Sequence, residues 1–365
     1  MHIVIPILIF FLIIGLVIFV HELGHYMMAR RAGVFVEEFA LGMGPKLIGF
    51  NGKQNERGEQ TLYSLRAFPI GGFCKMRGED DAEPDDPGAL NTKSIKARML
   101  VMVGGSAMNF LLAIILFLTT TVFTGVRVAE VVGFLDDSPA FAAGLEIGDR
   151  VTHINGVRVS LYENFLIQME LTGGNETEVR INRNGERHTY NITPMVSPDG
   201  QFLLGIQIGR RYGILQTPPE GYRRLNPIEA ITTSTDMIAF NIRLPFQLLA
   251  RFISGQNLPE GAAPMGPIGM AGEITNAYQV TIQRGVLDTI IIMILIAGII
   301  SVALGIMNLL PIPGLDGARL MFLLIEAIRR KPVPVEKEAV VHFVGLVALI
   351  LFAVFIAYRD IVRLL

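Results

Sequence analysis

The chain of 365 residues has no tryptophan, one cysteine and little charge. Each shortage excludes something. Without tryptophan, an aromatic belt at a membrane interface has to be built from tyrosine and phenylalanine. With Cys74 alone, no intrachain disulfide framework can form. Charged residues are 18% of the chain, where a soluble protein carries roughly a quarter. Lys and Arg number 31 against 33 Asp and Glu, a net charge of −2. No broad basic field is left to attract nucleic acid.

What fills the chain instead is apolar sequence, 51% of all residues. Runs at 3–27, 99–123, 286–310 and 339–358 each reach the roughly 20 residues that cross a bilayer as a helix. The first has no basic n-region and no small-residue cleavage site, so it is expected to be a retained span.

The first run ends in His21-Glu22-Leu23-Gly24-His25. On a helix this spacing stacks two imidazoles one turn apart on one face, with a carboxylate beside them. That is the core of many zinc peptidases. Two histidines and a glutamate at membrane depth would be costly unless they served a site. A catalytic zinc usually takes three protein ligands and leaves one position open. The candidate third is Asp316, in Asn308-Leu-Leu-Pro-Ile-Pro-Gly-Leu-Asp316-Gly317, where prolines break an apolar helix. By its residues alone Asp316 can equally be a helix cap. The expected site is therefore His21, His25 and Asp316 on Zn2+, with Glu22 as general base and then acid.

Between the first two runs, Thr61–Leu65 and Phe68–Met76 are strand-like, followed by an acidic stretch from Glu79 to Asp86. The region between the second and third runs opens with strand-like stretches at Val126–Val132, Arg150–Ile154, Thr177–Ile181 and His188–Ile192. Asn184-Gly185 is a hairpin turn signal, and Leu161–Leu171 has the spacing of an amphipathic helix. Pro227–Ser254 reads as helical, and Gly261–Gly272 is rich in Gly and Pro. The expected division is 1–124 membrane region, 125–212 β-rich domain, 213–284 helical connector at the membrane surface, and 285–365 membrane region. Lys and Arg near the ends of the spans, among them Arg30, Arg31, Lys93, Lys96, Arg98, Arg329, Arg330 and Lys331, put both short loops in the cytoplasm and the β-rich domain outside.

An ordered set of motifs resembles the site-2 proteases of the bacterial regulator-of-sigma-E type. It comprises His21–His25, Phe68-Pro69-Ile70-Gly71-Gly72-Phe73, Gly105 with Asn109-Phe110, Gly266-Pro267-Ile268-Gly269, and Asn308 to Gly317. Ser106, Ala318 and Phe73 stand where that family often has Pro, Gly and Tyr. The resemblance implies a polytopic α-helical membrane protein of about four spans, with a cytoplasmic-side β-hairpin loop and an extracytoplasmic α+β domain. It implies that Asp316 is the third zinc ligand. It also implies cleavage within single-span substrates, such as an anti-sigma factor or signal-peptide remnants, in a bacterial cytoplasmic (inner) membrane.

The β-rich region is similar to a PDZ domain through Ser138-Pro139-Ala140, Ala143-Gly144-Leu145, Gly148-Asp149-Arg150-Val151 and Ile154-Asn155-Gly156. PDZ domains take peptide C-termini by strand addition. Gly133 and Phe134 are the expected carboxylate-binding loop, with a strand-end turn the other reading of Gly133. Gly71, Gly72 and Asn308 are the expected partners for an unwound substrate backbone, since unsatisfied groups cost several kcal/mol in hydrocarbon. Two other classes compete with a protease. One is an inactive membrane protein that presents its PDZ domain. The other is a histidine-rich lipid oxygenase, against which the scattering of His2, His153, His188 and His342 speaks.

Overall fold

The computed structural model describes residues 4–79, 86–159, 161–218, 224–256 and 265–364. Ile3, most of the acidic stretch and the start of Gly261–Gly272 lie outside the described residues. In chain order, helix α1 (Val4–Arg31) leads to strands β1 (Val36–Asn51) and β2 (Leu62–Met76), then α2 (Ile95–Thr124). There follow β3 (Val126–Phe134), α3 (Pro139–Ala142), β4 (Arg150–Ile154), β5 (Val157–Arg158) and α4 (Tyr162–Thr172). Next come β6 (Thr177–Arg183), β7 (Glu186–Ile192), β8 (Met195–Val196), β9 (Phe202–Leu203) and β10 (Ile206–Arg211). The chain continues through α5 (Pro227–Ile253), α6 (Pro267–Ile282), α7 (Val286–Leu309), α8 (Asp316–Arg329) and α9 (Val335–Leu364).

It forms two compact units, one of Met1–Leu116 with Pro264–Leu365, the other of Phe117–Ala263. Among the described residues, four helices are long and apolar enough to cross a membrane: Val4–Arg31, Ile95–Thr124, Val286–Leu309 and Lys337–Val362. They fall where the four apolar runs lie.

In the first unit, Phe10, Ile13 and Val17 of α1 pack with Ile274 of α6 and with Met293 and Ala297 of α7. Helix α6 lies within the segment expected to be a helical connector. Its start is the Gly266–Gly269 motif, and Asp360 of α9 accepts hydrogen bonds there from the N–H groups of Gly266 (3.0 Å) and Gly269 (2.7 Å). Those are orphan donors of a helix start, satisfied by a buried carboxylate from another helix. A Cβ on Gly269 would stand 3.0 Å from Asp360 Oδ1, so the motif's glycine makes room for its own cap.

The two strand-like runs after α1 are one long, bent strand. Residues 72–76 of β2 pair with 36–41 of β1, which also pair with 62–65, and 62–65 pair in turn with 48–51. Residues 72–76 therefore form an edge. The sheet is pinned by a cluster in which Val36, Phe39, Cys74 and Met76 meet Ala29 of α1, Val101 and Met102 of α2 and Leu323 of α8.

In the second unit the sheet order is β10-β3-β4-β6-β7, with β5 beside β4. Asn184 and Gly185 make the β6–β7 turn with φ of 52° and 97°, the left-handed pair that a two-residue hairpin needs. The core joins Val131, Val151, Ile154, Val179 and Ile181 of the sheet to Phe165 and Met169 of α4. Asp149, fully buried, takes two hydrogen bonds from the Arg183 guanidinium. Helix α5 opens with a capping box of Asn226 and Glu229. It docks on α4 through Gln247 on Gln168 and Arg251 on the carbonyl of Leu171.

One expectation needs correction here. Gly133 and Phe134 do not form a loop; they are the end of β3, paired with Gln207 and Ile206 of β10. The sheet's edge on that side is β10.

Candidate metal centre

The centre begins at a helix crossing. Gly24 of α1 meets Gly104 of α2, and a Cβ on Gly104 would lie 2.8 Å from the carbonyl oxygen of Gly24. Small residues are what allow two backbones to approach so closely in a membrane. The next residue, Gly105, sits against the histidines: a Cβ there would be 2.7 Å from Cε1 and 2.8 Å from Nε2 of His21.

Asp316 arrives from the far end of the sequence. Pro311 and Pro313 stop α7 at Leu309, Gly314 turns the chain with φ of 95°, and α8 starts at Asp316. Gly317 is pressed against the carbonyls of Leu309 and Leu310, leaving no space for a side chain. Asp316 does not cap its helix: the cap position is Leu315, without a side-chain hydrogen bond. Its Oδ2 instead lies 3.1 Å from Nε2 of His21 and 3.0 Å from Nε2 of His25, and the two Nε2 atoms are 3.1 Å apart. The two histidines are buried.

The donor set fits zinc. Bonds of about 2.0–2.1 Å at tetrahedral angles separate their donors by about 3.3 Å, close to this triangle. A ligating imidazole usually gives its other N–H to an acceptor. Nδ1 of His25 has the carbonyl of Val101 at 2.9 Å. Nδ1 of His21 faces the buried carboxamide of Asn109 at 3.2 Å. With Nε2 turned to the triangle, that Nδ1 carries the proton and needs an acceptor. Rotating the amide puts Asn109 Oδ1 there, an oxygen otherwise buried without a partner. Ser301 of α7 holds the Asn109 backbone carbonyl at 2.8 Å. Asn109 belongs to a motif read from sequence, but no role could be given to it there.

Glu22 lies beside the triangle, in the cavity that Cys74 also lines. A cavity of about 510 Å³ brings together His21, Glu22, His25, Asp316, Asn308, Glu79 and the strand from Gly71 to Met76. A Cβ on Gly72 would come within 3.3 Å of Glu22 Cγ and 3.1 Å of Ile18, so glycine lets the strand lie against α1. Of the expected site residues, only Gly133 and Phe134 are elsewhere, in the other unit.

Membrane-spanning helices with a His/His/Asp donor set define a multi-pass membrane metalloprotease. The chain belongs to Peptidase family M50, the site-2 proteases; the family's model matches residues 9–352. A Clostridium perfringens protein that bears the provisional name of zinc metalloprotease is 33% identical over 347 residues, 94% of this chain and 95% of its own. The zinc metalloprotease RasP of Bacillus licheniformis is 30% identical, covering 97% of this chain and 98% of its own. RasP of Shouchella clausii is 29% identical with the same coverage. Enzyme class and zinc dependence follow from this membership. A crystal structure of a PDZ domain from a Listeria monocytogenes SdrC-like protein overlaps 24% of this chain and 88% of its own, at 24% identity and a TM-score of 0.20.

Proposed function

We propose that the chain hydrolyses peptide bonds within the transmembrane segments of single-span proteins, in regulated intramembrane proteolysis. The observation that carries this is the meeting of three metal donors, a carboxylate and a strand edge in one cavity. His21, His25 and Asp316 hold zinc, which supplies Lewis acidity to the scissile carbonyl and to the attacking water. Glu22 takes the proton from that water and returns it to the leaving amine.

A substrate helix has to unwind before attack, and its freed N–H and C=O groups then need partners. The edge of β2 from Gly71 to Met76 gives them by strand addition, and Asn308 adds an amide from the broken end of α7. The substrates are anti-sigma factors or signal-peptide remnants in a bacterial cytoplasmic membrane. The loops after α1 and α8 face the cytoplasm, as their basic residues favour. The segment 125–212 is a PDZ domain outside, supported by its sheet and by the buried Asp149 and Val151. It takes peptide C-termini along the free edge of β10 rather than at Gly133. Segment 213–284 joins it to the membrane regions, 1–124 and 285–365. The outward Ile228, Ile231, Phe246 and Leu249 of α5 favour a place at the membrane surface.

The test is cleavage of a panel of single-span substrates by purified protein in detergent, beside Glu22→Gln and a zinc chelator. The expected result is a cut within the span that both controls abolish. A cut that survives Glu22→Gln overturns the role of Glu22, and no cut by zinc-loaded protein overturns the proposal.

A further inference from the structure

The edge of β2 does not have all its outward donors free. Arg77 turns its N–H into the sheet, to the carbonyl of Phe35 at 3.0 Å. Neighbouring residues of a strand alternate in direction, so Met76 and Cys74 turn theirs outward. That of Met76 meets a carboxylate, donating to Oε2 of Glu79 at 3.2 Å. The other oxygen of Glu79 is paired with the guanidinium of Arg319. Arg319 lies on α8, one turn beyond Asp316. Glu79 is thus fixed between the end of the edge strand and the helix that presents a metal donor, and it lines the same cavity.

We propose that Glu79, held by Arg319, is the stop that sets the register of the bound substrate. It occupies the position at Met76 where a substrate carbonyl would otherwise bond, so an extended segment pairs along Gly72–Cys74 and ends there. This rests on the reading of residues 71–76 as the substrate-pairing edge. Because Arg319 shares a helix with Asp316, the stop is held at a fixed span from the metal donors. One peptide bond is thereby presented to Glu22. Arg319 is a positioning residue, acting through Glu79. Outward donors on an edge recur every two residues, so freeing Met76 lets the substrate move by one repeat.

The experiment maps products by mass, using the full chain in detergent with its zinc content measured and one single-span substrate. Glu79→Ala is expected to retain zinc and to cut at a second bond about two residues from the first. Arg319→Gln is expected to give the same pair of products. The exchange Glu79→Arg with Arg319→Glu restores an ion pair but puts no acceptor at position 79. It is expected to keep the displaced cut. Restoration of the single wild-type bond by the exchange overturns the proposal, because an ion pair alone would then suffice. An unchanged product map in both Glu79→Ala and Arg319→Gln also overturns it. Wild-type protein that holds zinc and cuts nothing overturns the underlying reading, and the stop with it.

Discussion

The Asn109 carboxamide and Nδ1 of His21 face each other at 3.2 Å, buried between two helices and 88 residues apart in sequence. The amide fixes which nitrogen of His21 is left for the metal. Asn109→Leu removes the acceptor and is expected to weaken zinc binding about 10–100-fold. Asn109→Asp keeps an oxygen and is expected to lose much less. Competition with a chromophoric chelator, without substrate, measures both. Equal affinity in Asn109→Leu and wild type would refute the pairing.

Gly105→Ala tests the packing on the other side of the donors. Its Cβ would press on Nε2 and Cε1 of His21, and relieving such overpacking costs about 1–3 kcal/mol. Zinc retention through dialysis is expected to fall while the four helices remain by circular dichroism.

At α6, Asp360→Leu leaves the N–H groups of Gly266, buried, and Gly269, partly buried, without an acceptor, at up to about 1–3 kcal/mol for the buried one. Faster hydrogen exchange is expected at the first turn of α6, ahead of the rest of the first unit. Asp360→Asn keeps one oxygen and is expected to show a smaller change.

Cys74 gives a pH dependence. Burial, and then the nearby Glu22 carboxylate, push its thiol from 9.0 up to about 12. Between those values the unfolded chain loses the proton and the folded chain keeps it. Its contribution to stability is therefore whole below pH 9 and declines as pH rises toward 12. Maleimide labelling is expected to be slow in detergent at pH 8 and fast once the protein is unfolded in dodecyl sulfate.

The spans and the pair His21 and His25 were legible because a 3.6-residue period and an apolar run are local properties. Asp316 was legible only as ligand or cap, since nothing near it in sequence says where its carboxylate points; the histidines it meets are 295 and 291 residues away, as their numbers give. Strand β1 was missed because Gly42, Gly44 and Gly49 with Pro45 read as loop, yet they serve the bends of a long strand. Gly133-Phe134, expected as a carboxylate-binding loop, lies in a strand; its partner β10 is far along the chain and cannot be seen opposite it from sequence. Glu79 stood at the start of an acidic stretch, with nothing in sequence to set it apart from its neighbours. Its worth lies in Met76 and Arg319, the second of them 240 residues away.

The distance along the chain between His21 and Asp316 also has a meaning in time. A ribosome delivers His21 and His25 before Asp316, which follows His21 by 295 residues. Until then two imidazoles stand without their third donor. The enzyme is born disarmed.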